Sequence, residues 1–109
     1  MKIKVTKAHF DKAIAISQKN SPHISATNVC LLAQAIKSAF PRKKVDVNYY
    51  NASVGNKTYV LDAKGRRLIK RFDDNGAWHA AEDRMPNEIK ALARLRADLP
   101  TTFTLTEEV

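Results

Sequence analysis

The chain has 109 residues, 44% of them hydrophobic and 28% charged, which is enough for one hydrophobic core and too apolar for a disordered chain. Nineteen Lys and Arg against eleven Asp and Glu leave a net charge of +8, which favours polyanionic partners: nucleic acid or an acidic protein surface. One cysteine excludes an intrachain disulfide, and no run approaches the ~18 apolar residues of a membrane span. With no apolar leader at its start, the sequence reads as one cytoplasmic domain over residues 1–109.

"MKIKV" alternates, which predicts a short strand with Ile3 and Val5 on one side and lysines on the other. Thr6 then caps a helix on which Phe10, Ala13, Ile14 and Ser17 share a stripe, and Asn20, Ser21 and Pro22 break it. After Asn28 a second helix, "VCLLAQAIKSAF", is apolar around most of its circumference, with Gln34, Lys37 and Ser38 as a thin polar strip. Such a helix is buried, which puts Leu32, Ile36 and Phe40 at the centre of the core.

"KVDVNYY" alternates Val45, Val47 and Tyr49 against Asp46, Asn48 and Tyr50 and reads as a half-buried strand, with "NASVGN" as a turn. "KTYVLD" and "RRLIKRF" read as two strands joined through "DAKG", with Gly65 in the left-handed position of the turn. Leu68, Ile69 and Phe72 would also line up on a helix, but strand is preferred. Pairing Asp62 with Arg66 puts Lys57, Tyr59, Leu61, Arg67, Ile69 and Arg71 on one face of this hairpin. Thr58, Val60, Arg66, Leu68, Lys70 and Phe72 then fall on the other. Residues 73–85 form a loop or short irregular helix. Pro86 and Glu88 open a third helix with Ile89, Leu92, Ala93 and Leu99 as its apolar stripe, and "TFTLT" closes the chain as a strand. The order β-α-α-β-β-β-α-β predicts an α+β fold, an antiparallel or mixed sheet of about five strands packed on three helices.

Catalytic and metal chemistry find little support, and neither a metal nor a cofactor is expected. His9, His23 and His79 have no Cys, Asp or His at metal-ligand spacing, and Cys30 sits on the buried helix as a small core side chain. "GNKT" lacks the upstream glycine and the following helix of a phosphate loop, and "DDNG" lacks the alternating oxygen ligands of a calcium loop. A small enzyme built on Cys30 or His79 is therefore the remote reading, and a binding protein is expected.

Binding chemistry is concentrated in the hairpin. Lys57 to Phe72 hold six cations and a single acid, Asp62, and the connector "PRKK" adds Arg42, Lys43 and Lys44. Cations around Tyr59 could meet phosphates while the ring stacks on a base, or the cations could simply protect a sheet edge from unwanted pairing. Trp78 is either core or a partner anchor. An exposed edge hairpin would also permit a homodimer by strand pairing, so monomer and homodimer both stay open.

"KIKVTKAHFDKAI", "CLLAQAIKSAF", "KVDVNYY" and "MPNEIKALARLRADLPTTFTL" together resemble a loose family of small uncharacterised phage-encoded accessory proteins. Cys30, Ala33, Ala35 and Ile36, then Pro86, Glu88, Ile89, Phe103 and Leu105, occupy the matching places. The basic hairpin and the Trp78 loop are additions to that pattern. The resemblance implies a non-enzymatic protein that inhibits a host protein or ribonucleoprotein complex, in its sharpest form an anti-CRISPR. The expected contact set is Lys57, Tyr59, Arg66, Arg67, Lys70, Arg71 and Trp78. The alternative is direct nucleic-acid binding by the same hairpin with Arg42, Lys43 and Lys44.

Overall fold

A computed structural model describes residues 1–20, 31–77 and 81–108. His23, Cys30, Trp78 and His79 lie outside the described residues. The fold is α+β. Its strands are β1 (Lys2–Val5), β2 (Val45–Val47), β3 (Asn51–Val54), β4 (Lys57–Leu61) and β5 (Thr101–Glu107). Its helices are α1 (Lys7–Asn20), α2 (Leu31–Ala39), α3 (Ala63–Asp73) and α4 (Pro86–Ala97), with a 3-10 turn at Ala81–Asp83. The strands form one antiparallel sheet in the order β1-β5-β4-β3-β2.

Alternation decides which face of the sheet is buried. Ile3, Val5, Val45, Val47, Ala52, Val54, Tyr59, Leu61, Phe103 and Leu105 all point to the helical side and join one buried cluster. Lys2, Lys4, Val60, Thr102 and Thr106 point the other way and are exposed. Against the buried face packs α2, whose residues Leu31 to Ile36 are all buried. Leu32 and Ile36 are fully enclosed, as the periodicity predicts, while Phe40 is half-buried against Tyr59 with ring centroids 6.4 Å apart.

Gln34 corrects the expected polar strip, because it is 2% exposed and its Nε2 has no hydrogen-bond partner among the described residues. A buried amide left unpaired costs about 1–3 kcal/mol. Gln34→Met, similar in volume and without the amide, should therefore raise the unfolding free energy by about 1 kcal/mol in urea titrations. A loss of stability would mean that the amide is satisfied in the folded protein.

The second corrected element is the hairpin. Residues 63–73 are a fourth helix where a strand was expected, so the order is β-α-α-β-β-β-α-α-β. Asp62 is its N-cap, accepting the backbone N–H of Gly65 at 2.8 Å on Oδ1, while Oδ2 accepts the N–H of Thr104 at 3.1 Å. Gly65 is not a turn residue. Its missing side chain lets the first helical turn approach β5, since a Cβ there would stand 3.1 Å from the Phe103 ring. Gly65, Leu68, Ile69 and Phe72 form the buried stripe. A strand would have mixed cations and apolar groups on both faces, whereas the helix separates them.

The true hairpin is β3–β4, in which Ala52 and Val54 face the core. Its two-residue turn has Gly55 at φ +62° in the first central position, a conformation open to glycine. Since β4 is the middle strand of the sheet, strand pairing at a 57–72 edge is ruled out as a route to a dimer.

Pro86 and Glu88 open α4 as expected, Glu88 Oε1 accepting the Met85 N–H at 2.8 Å. Its buried residues are Leu92 and Leu95, followed by Leu99, while Ile89 and Ala93 are exposed. No described helix is long and apolar enough to cross a membrane.

Candidate polyanion-binding surface

On α3 five of the seven residues outside the buried stripe are cationic, the other two being Ala63 and the terminal Asp73. Lys64, Arg67 and Arg71, spaced i, i+3 and i+7, form one shoulder, and Arg66 and Lys70, spaced i and i+4, form the other. Five cations thus cover a helix about 16 Å long. Arg71 is tied to Asp98 at 2.9 Å, and Arg66 donates through Nη1 to the Leu61 carbonyl at 2.8 Å. Lys64, Arg66, Arg67 and Lys70 form no ion pair among the described residues, and the five cations of α3 outnumber the three carboxylates, Asp73, Asp74 and Asp98, that line its flanking grooves.

Two grooves flank this helix. On the first shoulder a groove of about 230 Å³ lies between α3 and the α4–β5 connection, with Lys64, Arg67 and Arg71 facing Leu99, Thr101 and Asp98. On the second shoulder a shallower one of about 320 Å³ is lined by Tyr49, Ile69, Lys70, Asp73 and Asp74.

The expected contact set is divided by this fold. Arg66, Arg67, Lys70 and Arg71 are brought together on α3, joined by Lys64. Tyr59 is 8% exposed in the core and cannot stack on a ligand, which corrects its assignment. Lys57 begins β4, four residues and about 13 Å from the end that leads into α3, and pairs with Glu107 at 3.3 Å. There it joins the exposed loop of Arg42, Lys43 and Lys44, because Gly55 donates to the Lys44 carbonyl at 2.9 Å and Lys43 packs beside Gly55. The basic residues therefore make two clusters, at opposite ends of β4. Trp78, the last of the set, lies outside the described residues.

Tyr49 and Tyr50 belong to the surface although the alternation placed Tyr49 inward. The strand stops at Val47 because Asn48 turns the chain, its Oδ1 accepting the N–H groups of Tyr50 and Asn51, both at 2.8 Å. Asparagine before the two tyrosines is the signal that could have located them.

His9 sits in a different kind of site. The Thr6 N–H donates to His9 Nδ1 at 3.0 Å, so the ring proton is on Nε2, which reaches Ser38 Oγ at 2.8 Å. The His9 N–H donates back to Thr6 Oγ1 at 3.3 Å, closing a capping box with histidine in the glutamate position. Burial, and then the charge of Lys12, lowers the His9 pKa from the ordinary 6.5. The native state thus prefers neutral imidazole. Its contribution is complete above pH 6.5 and is lost as pH falls through that value toward the lowered one. His9→Gln, which keeps an acceptor but cannot titrate, should flatten this part of the stability profile in urea melts between neutral and acidic pH. An unchanged slope would remove His9 as its source.

Asp11 receives two hydrogen bonds from Arg96, at 2.8 and 2.9 Å, which hold its carboxyl below the usual carboxylate range and join α1 to α4. Arg96 is thereby withdrawn from the basic surface. Among the described residues no three His, Cys, Asp or Glu side chains are grouped to hold a metal ion. No family model, no curated protein and no solved structure matches the chain.

Proposed function

We propose that this is a non-enzymatic binding protein that docks on a polyanion through the outer face of α3, and that nucleic acid is the partner. The observation that carries this reading is the concentration of five cations on one rigid helix, four of them without an ion pair among the described residues. A helix places such charges at fixed spacing, so phosphate contacts form with little ordering cost beyond the side chains themselves.

A second reading is an inhibitor of a host macromolecular complex, with counter-defence of the anti-CRISPR type as its sharpest form. Met85 and Ile89, 61% and 52% exposed and four residues apart at the start of α4, favour it, because a protein partner would bury them and a phosphate backbone would not. Binding to labelled oligonucleotides over a salt series tests the first reading, which requires affinity to fall steeply with salt. A stoichiometric protein captured from host lysate after nuclease treatment, with no oligonucleotide binding at low salt, would replace it with the second.

A further inference from the structure

We infer that the nucleic acid bound by α3 is single-stranded, and that Tyr49 and Tyr50 stack its bases; this step rests on the reading of α3 given above. Tyr49 is 41% and Tyr50 64% exposed, with their rings edge-to-face at a centroid distance of 5.0 Å. Aromatic rings in a turn normally fold back over apolar surface, since each has a large area to bury. Here the backbone beneath them is fastened. Asn48 Oδ1 accepts from Tyr50 and Asn51, the Asn48 N–H donates to the Asn51 carbonyl at 2.9 Å, and the Tyr50 carbonyl accepts from Leu61 at 2.9 Å. The rings are thus displayed on a braced turn, and holding them ready lowers the ordering cost of a partner that covers them.

Their neighbour is α3. Tyr49 and Lys70 line the same groove, and Arg67 stands three residues back along the helix. Rings for bases next to cations for phosphates are the two components of a single-strand platform. Asp73 and Asp74 give the platform a direction. They repel a phosphate from the tyrosine side, yet the exposed Asp74 carboxylate can accept hydrogen bonds from the amino and imino groups of an unpaired base. The strand therefore lies with its backbone on Lys70, Arg67 and the Lys64 shoulder and its bases toward Tyr49 and Tyr50. A duplex cannot use this arrangement, because its base faces are stacked on one another and its base edges are paired.

Fluorescence anisotropy with a labelled oligothymidine of about 20 nucleotides, against a duplex of equal length, tests the inference, a single OB-fold site covering about 4–16 nucleotides. The single strand should bind more tightly than the duplex. Tyr49→Ala with Tyr50→Ala should weaken it at least about tenfold and leave the salt dependence unchanged, since stacking releases no counterions. Tyr49→Leu with Tyr50→Leu, which keeps apolar bulk without an aromatic face, should also weaken it and guards against a folding defect in the alanine variant. Wild-type affinity in both tyrosine variants, with binding lost in Arg67→Glu/Lys70→Glu, would overturn the stacking role and leave α3 as the binding face. Equal or tighter duplex binding would overturn the single-strand inference alone. Absence of binding to either oligonucleotide at low salt would overturn the α3 reading and the inference together.

Discussion

Phe72→Ala should destabilise the protein by about 3–5 kcal/mol, the usual cost of removing a fully buried phenylalanine. Phe72 has no exposed surface and its ring meets Phe10 edge-on at 5.8 Å with an 89° interplanar angle, so truncation opens a cavity between α3 and α1. A loss of this size approaches the whole stability of a domain this small. Phe72→Leu, expected at about 1 kcal/mol, keeps the measurement readable if the alanine variant is unfolded. The pattern along the segment is as informative as the magnitude. Leu68→Ala and Ile69→Ala should both be strongly destabilising, while Lys70→Ala should change stability by less than about 0.5 kcal/mol. In a strand Leu68 and Ile69 would face opposite ways and could not both be core residues unless both faces were covered. A small effect at Phe72 would contradict the helical packing.

That segment also shows how far the sequence could be read. "RRLIKRF" satisfies a two-residue and a 3.6-residue period at once, and only the quality of separation tells them apart. The helix puts Gly65, Leu68, Ile69 and Phe72 on one side and every cation on the other. The cue to it is Asp62 three residues before Gly65, a cap with its acceptor in place, in a string that equally fits a hairpin turn. Where propensity and period agree, as for the buried α2 or the Pro86–Glu88 start of α4, sequence and structure coincide. β3 has no strand signal of its own, because Asn51 and Ser53 are turn formers. It becomes a strand only because β2 and β4 supply partners on both sides, with Ala52 and Val54 reaching the core. Alternation correctly paired Tyr59 with Leu61 on one face, but which face is covered depends on where α2 and Phe40 settle, a long-range fact that no local pattern contains. For the same reason the basic residues were legible as a group while their partition into the α3 cluster and the Gly55-turn cluster was not.

Reversing charge at the centre of α3 should have the largest effect on binding. Arg67 and Lys70 are exposed and form no ion pair among the described residues, so Arg67→Glu/Lys70→Glu leaves the core intact; it relieves repulsion among Lys64, Arg66 and Arg71 and adds about 0.2–0.5 kcal/mol of repulsion per pair with Asp73 and Asp74. A glutamate near the helix C-terminus opposes the dipole by only about 0.3–1 kcal/mol. Affinity for an oligothymidine should fall on the order of 100-fold at low salt, and losing two phosphate contacts should reduce the slope of log K against log salt by about 1.4. Lys2→Glu/Lys4→Glu is the decisive control. Each double variant removes four units of charge, taking the chain from +8 to +4, but Lys2 and Lys4 lie on edge strand β1. If α3 is the contact face, the β1 variant should lose only the long-range attraction, a few-fold in affinity, and keep its salt slope. Lys43→Glu/Lys44→Glu makes the same change at the Gly55-turn cluster and should resemble the β1 variant. Equal losses in all three would mean that net charge, rather than the geometry of α3, attracts the polyanion.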